Sequence, residues 1–124
     1  MSVNYSTAVA NSRLTVSRDA IDGGPAAGVL KIYTAAYALL LATITMSDPC
    51  GTVAARVLTF AGMPKSTAAG NTGTAAIARF EDSTGTMVAE GLTVGTAGTD
   101  IIIDNTSINS GQTVNLTAAT ITHP

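Results

Sequence analysis

The stretch TAAIARFEDSTGTMVAEGLTV, Thr74 to Val94, decides the fold. Two runs carrying Ile, Val, Thr and Phe flank the break Asp82-Ser83-Thr84-Gly85. That break is short enough for a hairpin between antiparallel strands. Outward from it the same texture recurs, as short β-rich runs cut by turn signals at close intervals. Strands are predicted near 28–34, 38–46, 53–61, 74–82, 86–94, 100–104 and 112–122. The breaks are Ser47–Gly51, Gly62–Lys65, Gly70–Gly73, Asp82–Gly85, Gly95–Gly98 and Ser110-Gly111. Strands at this spacing, without alternating helices, predict a mainly β chain: an antiparallel β-sandwich or jelly roll of about seven strands.

Strand faces are legible in places. Leu30 and Ile32 oppose Val29, Lys31 and Tyr33, and Ile101 and Ile103 oppose Ile102. Val114 and Leu116 point together, but Ile121 is out of phase, which predicts a bulge near Ala118-Ala119. Leu39, Leu40 and Leu41 are consecutive, which predicts a strand buried on both faces. The Gly-rich segment 62–74, GMPKSTAAGNTGT, reads as a long hairpin loop or an arm that orders against a partner.

Before the first strand lies one helical pattern, residues 6–22, with Ser6 as N-cap and Tyr5 ahead of it. Val9, Val16 and Ala20 fall together at ~100° per residue, with Ala10, Leu14 and Ile21 beside them. Gly23-Gly24-Pro25 stops it. Thr15 and Val16 are mediocre helix formers, so this helix needs a surface to dock on, its own sheet or another subunit. The chain then divides into a helix and linker arm, 1–27, and a β-sandwich domain, 28–124.

Composition excludes several functions. Charged residues are 11% of the 124, against about 25% in ordinary domains, and half the chain is Ala, Thr, Gly or Ser. Six Lys and Arg, outnumbered by eight acids, cannot neutralise a nucleic-acid backbone. A 46% hydrophobic content at net charge −2 opposes disorder. One Cys, Cys50, excludes an internal disulfide framework, and one His, His123, excludes the usual zinc sites. The first twenty residues lack the apolar core of a signal peptide, and no apolar run approaches the ~20 residues of a membrane span. Cytosolic synthesis is the expectation, with Cys50 a reduced thiol near a turn.

Catalytic chemistry finds little footing. Glu81 and Glu90 flank the hairpin as a carboxylate pair would, but the chain has no Trp and two Phe to line a sugar cleft. A solvated hairpin face with Arg79 nearby is the plainer expectation. Asp100, Asp104 and Asn105 bracket Ile101–Ile103 without the dense spacing of a calcium loop, so a strand cap or Asx-turn is favoured. No phosphate-binding glycine motif and no G-x-S-x-G elbow occurs. No enzyme activity, cofactor, metal, nucleic acid or membrane partner is expected.

Scarce charge has a positive reading. Interface centres are depleted in Lys, Glu and Asp, and long charged side chains normally keep strand edges apart. A chain lacking them suits a repeated place in an assembly. The segments VNYSTAVANSRL (3–14), DAIDGG (19–24), GVLKIYTAAYALLLATITMSDPCGTV (28–53), VLTFAGMPKS (57–66) and GLTVGTAGTDIIIDNTSINSGQTVNLTAATITHP (91–124) resemble a family of small structural proteins of tailed bacteriophages and prophages. The turn at Met46–Val53 and the close at Thr120–Pro124 carry the resemblance most specifically. It implies a virion role without a catalytic motif. By size and architecture that role is similar to head decoration or cement proteins, which sit on the capsid's outer surface and brace the major capsid protein. Expected partners are that protein and further copies of this chain, as a dimer or trimer. Tyr5, Val9, Arg13 and Val16 on the helix, and Met63, Lys65 and Asn71 in the loop, are the candidate contact residues. The alternatives are a tail, neck or fibre component, or a carbohydrate- or receptor-binding β module, to which Tyr5, Tyr33 and Tyr37 would offer stacking faces.

Overall fold

The computed structural model describes residues 6–23, 25–47 and 50–122. Helix α1 (Thr7–Ile21) opens where the Ser6 side chain accepts from the Val9 amide at 3.2 Å. It ends at Asp22. Among the described residues eleven strands follow: β1 (Val29–Tyr33), β2 (Leu40–Thr45), β3 (Gly51–Ala54), β4 (Val57–Phe60), β5 (Lys65–Ala68), β6 (Gly73–Thr74), β7 (Ile77–Glu81), β8 (Met87–Gly95), β9 (Ile101–Ile103), β10 (Ser107–Ile108) and β11 (Thr113–Thr122). A single 3-10 turn, Ala35–Tyr37, joins β1 to β2. The described residues are mainly β with one helix, as the turn spacing implies.

Nine strands share one sheet: eight follow the order β2-β1-β7-β8-β9-β11-β4-β3, and β5 joins it off this path, beside β11. Strand β5 lies beside β4 on the same flank of β11, against Thr113–Leu116, while β4 takes Thr120–Thr122. Strands β6 and β10 form a separate small pair. The sheet is mixed rather than wholly antiparallel, because β8 and β9 run parallel over Val94↔Ile101 and Gly95↔Ile102. The chain steps sideways between them through a loop pinned by Asp100, whose carboxylate accepts from the Thr93 amide and hydroxyl at 3.2 Å each.

The sheet curls upon itself. Phe60 on β4 and Phe80 on β7 stack with ring centroids 4.3 Å apart and planes 12° apart. Three strands separate β4 from β7, so a flat sheet at ~4.8 Å per strand would hold the two rings about 19 Å apart. Curling encloses Leu30, Ile32, Ile44, Leu58, Ile101, Ile103 and Leu116, all at most 2% exposed, around the stack. Residues Ala10, Leu14 and Ile21 bury one face of α1, which packs against β3, β4 and β8. The helix therefore docks on its own sheet, and Val9 and Val16 face outward.

Particular residues explain the departures from seven strands. The expected strand 53–61 is a hairpin of β3 and β4 around Ala55-Arg56. Both residues adopt positive φ, 49° and 68°, a conformation signalled in most sequences by Asn-Gly. Here α1 supplies the restraint, since the Arg56 amide donates to Asn11 Oδ1 at 2.9 Å. Segment 62–74 is not one long loop: it forms β5 and β6 against β11 and β10 of its own chain. The leucine run is not buried throughout. Leu41 is buried, Leu40 half-buried, and Leu39 is 40% exposed, with Thr43 and Thr45 outward.

Elsewhere the strands and turns follow the sequence pattern. The Asp82–Gly85 hairpin is present, and Asp82 Oδ1 accepts from the amides of Thr84 and Thr86 and from the Thr84 hydroxyl. Strand β11 shifts register between Leu116 and Ala118, which turns Ala119 inward after Val114 and Leu116. Gly51 is required by packing, since a Cβ there would run into the Thr59 carbonyl on β4.

Truncating the stack tests the curl. Phe60→Ala is expected to cost about 3–5 kcal/mol in urea unfolding. Val16→Ser, on the outward helix face, should stay within ~0.5 kcal/mol of the parent.

Candidate functional site

Two surfaces hold the expected contact residues. The first is the outward face of α1. Val9, Arg13 and Val16 follow one another at helical spacing, and they line a shallow hollow with Ala8 and Ser12. Val9 is 44% and Val16 68% exposed, on a helix whose opposite side is buried. Tyr5 lies outside the described residues.

The second surface surrounds β5. Met63 is half-buried and packs against the core. Lys65 opens β5 opposite Leu116, with its Nζ over Gly62. Asn71 is exposed, and its Nδ2 donates to the Leu40 carbonyl at 2.8 Å, tying the turn after β5 to the start of β2. The structure thus groups Val9, Arg13 and Val16 on one element, and Met63, Lys65 and Asn71 around another. The helix makes its main contacts with β3, β4 and β8 rather than with β5.

The hairpin pattern predicts a solvated Glu81, but the side chain is 2% exposed. Lys31 on β1 and Arg79 on β7 are cross-strand neighbours, and both reach Glu81, Lys31 Nζ at 3.0 Å and Arg79 Nε at 2.8 Å. The two cations offset the cost of withdrawing the carboxylate from water. Arg79 also lies over the rings of Tyr33 and Tyr37, 5.2 and 5.8 Å from their centroids. The rings meet edge to face at 5.2 Å, and the Tyr37 hydroxyl accepts from the Gly91 amide at 2.6 Å. Both tyrosines are thereby engaged within the fold. The alternation Lys31/Tyr33 and Arg79/Glu81 on facing strands was the signal for this cluster; it shows only once the β1–β7 register is known. Glu90 does not join Glu81: it is exposed on β8, and Glu81 faces Met87.

The acids around Ile101–Ile103 act as structural caps. Asp100 serves Thr93, and Asp104 accepts from the amide and side chain of Asn115 at 3.3 and 2.9 Å. The Asn115 hydrogen bond holds the Asp104 carboxyl below its ordinary range. Asn105 Oδ1 accepts from the Ser107 amide in an Asx-turn. Among the described residues no three His, Cys, Asp or Glu side chains are grouped to hold a metal ion.

Cys50 is fully buried beneath the end of α1. Its amide donates to both carboxylate oxygens of Asp22 at 3.1 Å, and its thiol to the Arg18 carbonyl at 3.8 Å. Burial, and then the Asp22 carboxylate, push the thiol from 9.0 up to about 12. That is the setting of an inert structural thiol.

No helix among the described residues is long and apolar enough to cross a membrane. No family model, curated protein or solved structure matches the chain.

Two outcomes follow from these clusters. Replacing Lys31 and Arg79 together by Met strands the buried carboxylate and should cost about 3–5 kcal/mol in urea unfolding. Glu81→Gln should cost less; a double variant no weaker than Glu81→Gln would show that the cations do not support the site. For Cys50, a disulfide reagent at pH 8 should react with the unfolded chain and leave the native one nearly untouched. Because the folded-state value lies above the unfolded one, stability is complete below pH 9 and declines as pH rises toward about 12. Thermal melts across that range should show a smaller alkaline loss for Cys50→Ala than for the parent.

Proposed function

We propose that the chain is a non-enzymatic structural protein of a tailed-phage virion, bound to the outer surface of the capsid shell as a decoration or cement protein. The observation that supports this most directly is the outward row Val9–Arg13–Val16 on α1. Its apolar members stand exposed on a helix already anchored by Ala10, Leu14 and Ile21. The sequence resemblance to small phage structural proteins supports the same reading. So does the scarcity of charge, which leaves strand faces of Thr, Ala and Ser suited to close packing. In this reading the partners are the major capsid protein and further copies of the chain. The protein is made in the host cytoplasm and resides on the capsid surface. Repetition over a lattice offsets the weakness of each small contact.

The test is sedimentation of expanded shells with the purified protein, followed by thermal breakage of the shells. Binding should raise the breakage temperature, by linkage to the assembled state. Val9→Asp combined with Val16→Asp should weaken co-sedimentation at least tenfold while the variant's own melting point stays near the parent's. A dispersed monomer in ultracentrifugation with no affinity for shells would overturn the proposal.

A further inference from the structure

The β1–β2 connection holds strained backbone. Its tip, residues 35–38, returns tightly, with the Ala38 amide donating to the Ala35 carbonyl at 3.3 Å. The two central residues, Ala36 and Tyr37, adopt positive φ, 58° and 57°. Turns select Asn-Gly for such a pair, because a Cβ crowds the left-handed backbone. Neither Ala nor Tyr relieves that cost. No residue of the tip is fully buried, so core packing does not hold it down.

The Tyr37 side chain does. Its ring meets Tyr33 edge to face, and its hydroxyl accepts from the Gly91 amide at 2.6 Å. A bulge makes that amide available. The β7–β8 ladder pairs Ala78 with Leu92 and Phe80 with Ala89, so Glu90 and Gly91 together face Arg79. Gly91 stands there at a φ of 79°, and a bulge leaves one residue without its ladder partner. The Tyr37 hydroxyl takes the partner's place. Arg79, opposite the bulge, completes the contact with its guanidinium over both rings.

Two features separate the tip from the rest of the fold. The base of the connection is fastened on its own: the Thr34 amide donates to the Leu39 carbonyl at 3.0 Å, and the Leu39 amide to the Thr34 hydroxyl at 3.1 Å. Arg79 has its second anchor at Glu81, so the buried carboxylate keeps both cations whether or not Tyr37 is in place. The tip can therefore lift without parting the β1–β2 ladder or opening the core. We infer that residues 35–38 form a strained lid over Tyr33 and Arg79, latched by Tyr37 on the β8 bulge. Lifting relaxes two left-handed residues and bares the Gly91 amide and the Arg79 guanidinium. Closing restores one hydrogen bond and one ring contact at the cost of that strain. The balance is struck within the lid, apart from the α1 surface, and does not require that the protein belong to a capsid.

Amide hydrogen exchange on the full-length protein, followed by NMR, tests this. The Tyr37, Ala38 and Gly91 amides should exchange through one shared opening whose rate stays flat in urea below the unfolding transition, because lifting the tip exposes little surface. The Ile32 and Phe80 amides should exchange far more slowly and accelerate with urea. Ala36→Gly should raise protection of the three lid amides at least about threefold, although glycine ordinarily loosens a chain. Tyr37→Phe keeps the ring and loses the hydroxyl, and should lower protection of Ala38 about fivefold. If Tyr37→Phe does not fold, Ala36→Gly decides alone. Lid amides that exchange only together with the core, a smaller gain in Ala36→Gly, or a folded Tyr37→Phe variant as well protected as the parent would overturn the proposal.

Discussion

One sheet with one apolar face must find cover, and a fifteen-residue helix is too small to give it. The sheet solves this by covering itself, and the Phe60–Phe80 stack is where its two arms meet. An offset or stacked aromatic pair adds about 0.5–1.5 kcal/mol to the burial of its area. Position matters more than that increment. The two rings join strands that the hydrogen-bond ladder keeps three strands apart, so their contact sets the radius of the curl. Everything inward of β1, β9 and β11 is packed around that radius.

The helix is fixed by polar ties as much as by its apolar face. Asn11 holds the tip of the β3–β4 hairpin through the Arg56 amide, and Asp22 holds the Cys50 amide at the other end of β3. These two side chains, eleven positions apart on one helix, clamp a hairpin whose own turn residues favour no tight return. The hairpin in turn offers Leu58 and Phe60 to the core. Helix and hairpin therefore depend on each other, and the face carrying Val9 and Val16 is left outward because the polar ties fix the rotation of α1.

Legibility followed locality. The Asp82–Gly85 hairpin, the Ser6 cap and the β11 bulge rest on neighbours in sequence, and residue types alone revealed them. The β3–β4 turn did not announce itself, because Ala55-Arg56 owes its conformation to Asn11, more than forty residues earlier. Strand β5 was hidden for a related reason: Lys-Ser-Thr-Ala has little apolar content, and its strand state comes from the ladder with β11. The burial of Glu81 needed the β1–β7 register, which no local pattern encodes. Of the contact residues, the helix row was readable from its period. The role of Asn71 in fastening β5 to β2 was not, since it concerns closure of the whole sheet.

Scarce charge acquires a specific location in this architecture. Of six Lys and Arg, Lys31 and Arg79 are committed to Glu81, and Arg18 pairs with Asp19 on the helix. Lys65, at the start of β5, is the one cation on strands β2 and β5, whose outward residues are otherwise mostly Thr, Ser and Ala, where cations usually discourage pairing. A curled sheet whose two ends nearly meet tolerates this, because each edge shields the other from casual contact.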